Sequence, residues 1–114
     1  LRLLDLINLN FLFIFSRNQW RSPTAERTFA VGYGINTRSA GTSKHAKHSL
    51  SAQDLAWADT IFVMEEKHQR WVREKFSRQL GKRKIIVLDI PDDYQYMDPE
   101  LVEILLQSMQ PYLE

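Results

Sequence analysis

The sequence contains no cysteine in 114 residues. Disulfides, cysteine-ligated zinc and every thiol mechanism are thereby excluded. Glycine and proline are scarce, at four each, so there is no low-complexity linker and no repeat punctuated by turns. Neither sign of charge dominates: 15 basic and 14 acidic side chains give a net charge of +1. That balance is too even for nucleic-acid binding through bulk charge. No apolar run is long enough to span a bilayer. The most apolar stretch, LRLLDLINLNFLFIF, is interrupted by Asp5, Asn8 and Asn10, and no small-residue cleavage pattern follows it, so it does not read as a secretory signal. A cytoplasmic globular domain without a membrane or nucleic-acid partner is the expectation. With 44% hydrophobic residues, a chain of this length can bury one core.

The patterns present point to alternating strands and helices. Leu9 to Phe15 has the length and aromatic content of a strand buried on both faces. Leu1 to Asn8 is read as a leader or extra N-terminal segment, and 9–114 as the domain. Pro23 suits the first turn of a helix, with Ser22 as its cap and Gly32 and Gly34 as its stop. A second strand is expected at Ile35 to Ala40, followed by a polar loop. Ser51 and Asp54 have capping-box spacing for a short helix through Trp57. Thr60 to Met64 and Ile85 to Leu88 are further buried runs. Glu66 to Leu80 reads as one helix ended by Gly81, and Asp89 to Asp98 as loop. Pro99 to Leu113 closes the chain, with Leu101, Ile104, Leu105 and Met109 at helical spacing. This order implies an α/β three-layer sandwich on four parallel strands. Its ligand site is expected beyond the carboxyl ends of the strands, where SRNQWRSP, SAGTSKH and DIPDDYQYMDP converge.

The first of these loops has a chemistry of its own. A tight connection from a buried strand into a helix start aims several backbone N–H groups at one point. The helix dipole adds about half a positive charge there. Arg21 offers a planar fork of donors, which suits phosphate. Taken alone, the same residues also fit a strand-to-helix connection that is merely solvated.

The stretch FLFIFSRNQWRSPTAE resembles the signature of the low-molecular-weight protein tyrosine phosphatases, in which Cys, five residues, Arg and Ser are usually followed by Pro. Similar segments follow in the same order at RSAGTS, AWADTIFVMEEKH and VLDIPDDYQYMDPELV. The resemblance covers nearly everything from Asn10 onward, with a shortened middle. It implies a phosphate loop of Ser16, Arg17, Asn18, Gln19, Trp20, Arg21 and Ser22, with Arg21 as the phosphate clamp. Asn18, Ser22, Ser39 and His45 are implied as the residues that shape this loop. Asp92 matches the acid that protonates the leaving tyrosine, although Asp93 stands where the family usually has Pro. Asp98 is expected to cap the last helix. Trp20 and Tyr94 are implied at the rim of the cleft. Arsenate reductases share this fold and loop, but their chemistry needs several thiols.

The departure from the family lies at the nucleophile: its cysteine position holds Phe15, and a phenyl ring cannot attack phosphorus. The expected function is therefore a phosphatase-family domain that is inactive or severely impaired. The alternative is a non-catalytic phosphate- or phosphotyrosine-binding or protein-interaction module. No cofactor is expected, and the three histidines do not have metal-ligand spacing. His48 and His68 read as solvated or surface residues, Trp57 and Trp71 as packing, and the run Lys82, Arg83, Lys84 as a solvated turn. Two outcomes are open for the Phe15 ring: it fills the phosphate seat, or it turns into the core and distorts the loop.

Overall fold

Alternation along the first strand decides which side chains face which layer. In β1 (Asn10–Phe15), Phe11, Phe13 and Phe15 face one side and Leu12 and Ile14 the other, the two-residue period of an extended chain. The computed structural model describes residues 9–17 and 20–113, so the proposed leader lies outside the described residues. β1 pairs in parallel with β2 (Asn36–Gly41) on one side and β3 (Thr60–Val63) on the other. β4 (Ile85–Val87) extends the sheet beyond β3 in the order β2-β1-β3-β4. Phe13 stands opposite Ser39 of β2 and Phe62 of β3. The α/β sandwich with four parallel strands is the observed architecture.

Helices α1 (Arg21–Tyr33) and α5 (Pro99–Leu113) cover the phenylalanine face. Ala25, Phe29, Leu101, Leu105 and Met109 meet it there. Phe13 stacks between Phe29 and Phe62, with ring centroids 5.8 and 5.3 Å away. The opposite face is covered by α2 (Ala52–Trp57), α3 (Glu66–Lys75) and α4 (Ser77–Leu80) through Leu55, Val72 and Leu80. Burying side chains of this size stabilises the fold by about 1.5–3 kcal/mol each.

Local signals set most of the boundaries. The Ser51 capping box forms as its spacing predicts: the Ser51 hydroxyl accepts from the Asp54 N–H at 3.3 Å, and the Asp54 carboxylate accepts from the Ser51 N–H at 3.0 Å. Two expectations change. Helix α1 starts at Arg21, so Ser22 lies inside it and the N-cap is Trp20, which makes no side-chain cap bond. The single helix expected over Glu66 to Leu80 breaks at Phe76 (φ −125°, ψ 34°), whose ring packs on Trp71 at 5.8 Å. Arg83, expected in a solvated turn, donates to the carbonyls of Ala58, Ala56 and Gln79 at 3.0–3.1 Å. It thereby satisfies chain ends of α2 and α4 that would otherwise be orphaned.

Gly34 ends α1 in the left-handed conformation at φ 66°, its N–H bonded to the Phe29 carbonyl. A Cβ there would meet no heavy atom within 4 Å, so the cost of a side chain is purely conformational. Gly34→Ala is expected to destabilise the fold by about 1 kcal/mol, read as a lowered urea midpoint at unchanged slope.

Candidate functional site

The chain runs from β1 to one neighbour, then crosses to the other, so the carboxyl end of β1 is the switch point of the sheet. Crevices for ligands form at such points. The loop leaving β1 is shaped from outside by the segment after β2. Thr42 N–H donates to the Phe15 carbonyl at 2.9 Å, Ser43 N–H to that of Ser16 at 2.8 Å, and Lys47 N–H to that of Arg17 at 3.2 Å. Three successive carbonyls are thus turned outward, and the N–H groups of Ser16 and Arg17 have no protein acceptor among the described residues. Helix α1 then begins without a side-chain cap and without an acidic residue in its first turn. Donors and dipole converge, which favours an anion. Asn18, Gln19 and the Ser22 side chain lie outside the described residues.

Arg21, the first residue of α1, is only 1% exposed. Its Nη1 donates to Glu65 Oε1 at 2.7 Å and to the Ile90 carbonyl at 2.5 Å. The guanidinium lies over the Phe15 ring, 3.9 Å from its centroid. Such a contact contributes about 0.5–2 kcal/mol. Nε is buried with no hydrogen-bond partner among the described residues, and Asp92 Oδ1 stands 3.6 Å from it. An unpaired buried donor on a cation is costly, and an oxyanion would satisfy it. Burial alone would raise the Glu65 carboxyl. The hydrogen bond and charge of Arg21, with Lys67 and His68 adding, instead hold it below the ordinary carboxylate value.

Of the two outcomes open for the Phe15 ring, the structure shows it turned into the core. It belongs to the phenylalanine-face core at 3% exposure, with Arg21 on its face and the His68 ring edge-on at 6.1 Å. His68, read from sequence as a surface residue, is 1% exposed. Its Nδ1 accepts from the Glu65 N–H at 3.1 Å, and its Nε2 is 2.9 Å from Ser16 Oγ. Because Nδ1 is the acceptor, the proton of the neutral ring sits on Nε2, which donates to the Ser16 hydroxyl. His68 therefore cannot take a proton from Ser16, and Ser16 has no general base there. Burial, then the charge of Arg21, bring the His68 pKa from 6.5 down to about 4 against the opposing pull of Glu65.

The late loop approaches through three anchors. Ile90 is buried and its N–H donates to the Met64 carbonyl, Met97 N–H donates to Thr24 Oγ1 at 2.9 Å, and Asp98 accepts from the Glu100 N–H at 2.9 Å as the cap of α5. Asp92 is half exposed above Arg21. Tyr94, implied at the rim, is half-buried and packs against the core. Partial burial, with Glu100, Asp93 and Asp98 nearby, pushes its phenol above the usual value. Tyr96 and Trp20 are the aromatics that line the adjoining cleft, together with the buried Ser39. The expected network histidine is not His45, which is exposed in a turn with its backbone N–H on Ser43 Oγ. His48 joins a network instead, 2.9 Å from Asp54 Oδ2. Glu65, His68 and Ile90 are the contributors sequence reasoning missed. The first two follow β3 so closely that no loop marks them, although the end of a buried strand is itself the signal.

No protein-family model and no curated protein matches the chain. Solved structures do. The tyrosine phosphatase Wzb from Escherichia coli K30 in complex with phosphate aligns at TM-score 0.73 and 20% identity, covering 91% of this chain and 95% of that one. Vibrio vulnificus Wzb in complex with benzylphosphonate aligns at 0.73 and 20%, over 92% and 97%. The low-molecular-weight protein tyrosine phosphatase from T. tengcongensis aligns at 0.67 and 20%, over 90% and 94%. The chain has the low-molecular-weight tyrosine phosphatase fold.

The His68 geometry sets a pH dependence. The folded state keeps the ring neutral down to about pH 4, whereas the unfolded chain takes up its proton near 6.5. Stability is therefore full above 6.5 and falls as the pH drops towards 4, by up to about 3 kcal/mol. Urea unfolding at pH 7 and pH 4.5 measures the loss, which is expected to shrink in His68→Gln.

Proposed function

We propose that the chain is a member of the low-molecular-weight protein tyrosine phosphatase family in which hydrolysis has been lost at Phe15 while the oxyanion seat around Arg21 remains. One observation carries this reading. A fully buried arginine keeps an Nε without a hydrogen-bond partner among the described residues at the switch point of the sheet, beside a loop whose Phe15, Ser16 and Arg17 carbonyls are tied to the segment after β2. The phosphoryl group of an aryl phosphate would be held by Arg21 and the loop N–H groups. Asp92, within reach of the same guanidinium, would stand where a leaving oxygen needs its proton. The step without an agent is attack on phosphorus. No thiol is present, and Ser16 receives a proton bond from His68 rather than giving one up. Losing the nucleophile of such a unit lowers the rate by about a millionfold.

The second reading, a non-catalytic module that holds phosphate or phosphotyrosine, draws on the same Nε. In that reading Asp92 is a competitor for the ligand, since its carboxylate already faces the guanidinium.

Restoring the thiol separates the two. Phe15→Cys is expected to gain hydrolysis of p-nitrophenyl phosphate over the parent chain, and Asp92→Asn in that background to reduce it about 10²- to 10⁴-fold. A folded Phe15→Cys protein with no activity would overturn the phosphatase reading. Calorimetric binding of inorganic phosphate to the parent chain, absent in Arg21→Met, would then support the module.

A further inference from the structure

A well-formed cleft lies to one side of Arg21, which does not line it. It has a volume of about 640 Å³ and opens along the β2 edge, between the start of α1 and the segment after β2, within the usual range for small-molecule sites. Trp20 and Tyr96 supply its aromatic surface and are 40% and 47% exposed. Its polar groups are held in place before any ligand arrives. Asp54, 4% exposed, accepts from Arg38 Nη1 at 3.5 Å on one oxygen and lies 2.9 Å from His48 Nε2 with the other. The Arg38 guanidinium is further fixed over the Trp57 ring, 4.4 Å from its centroid. Donors fixed in this way lose little freedom on binding.

The charge presented to a ligand is positive. The Asp54 carboxylate is buried and spent on Arg38, His48 and Ser51, so what faces the opening is Arg38 and Lys47 against the single carboxylate of Glu26. We propose that this cleft is a second ligand site, for a small planar aromatic anion whose ring lies against Trp20 and Tyr96. Its acidic group is held by Arg38, Lys47 and His48, with the Ser39 hydroxyl beneath. The site uses neither Arg21 nor Asp92, so it stands whether or not the Arg21 seat binds phosphate.

The test is nitrogen–proton NMR titration of the parent chain with indole-3-carboxylate, beside indole and acetate. The carboxylate is expected to move the Ser39, Lys47 and His48 amides saturably, with both partial probes at least about tenfold weaker. Lys47→Glu and Tyr96→Ala alter exposed side chains that do not support the core, and each is expected to weaken binding at least about fivefold. An excess of inorganic phosphate should leave the affinity for indole-3-carboxylate within about twofold. The proposal is overturned by equal binding of uncharged indole, by indifference to both substitutions, by shifts confined to Ser16, Arg17 and Arg21, or by no binding at all.

Discussion

A guanidinium withdrawn from water must have its charge answered by the protein, and the arrangement around Arg21 is that answer. Glu65 supplies the opposite charge, Ile90 a carbonyl, and Phe15 a π face. Each comes from a different strand end, so the single side chain draws together β1, β3 and the segment after β4. A buried ion pair of this kind does little for net stability, because desolvation offsets attraction, but removing one partner is expensive. Its role is positional: it fixes where Nε, a buried donor with no hydrogen-bond partner among the described residues, is presented.

A bulky ring in a packed site ordinarily forces neighbours apart, at about 1–3 kcal/mol. Here the side chain at position 15 points to the face that carries Phe11 and Phe13. The Phe15 ring therefore continues an aromatic column and gives Arg21 a surface to lie on. What the position supplies is bulk for packing and a π face for a cation, with no lone pair to offer a ligand.

Much of the architecture was legible in the residues. The strand runs, the Ser51–Asp54 box, the Gly34 stop and the final amphipathic helix all rest on local physics that acts within a few positions. Boundaries differed where side-chain packing or the cap departed from the local signal. The helix breaks at Phe76, whose ring packs on Trp71, and α1 begins at Arg21, one residue before the Ser22 that suits a cap. At the site, Arg21 could be placed from its spacing in a recognisable motif. Glu65 and His68 could not, since their roles arise from the pairing of β3 with β1 and from a turn too short to announce itself. His45 and His48 are three positions apart in one polar loop, and only the placement of the buried Asp54 distinguishes them.

The outward ties of the Phe15, Ser16 and Arg17 carbonyls have one more consequence. Backbone clamped from its outer side at Phe15, Ser16 and Arg17 is already held in place, so the entry of an ion would order little of that stretch. The heat-capacity change of such an event would be small and its ionic-strength dependence large, the mark of docking onto a rigid electrostatic surface rather than of folding around a guest.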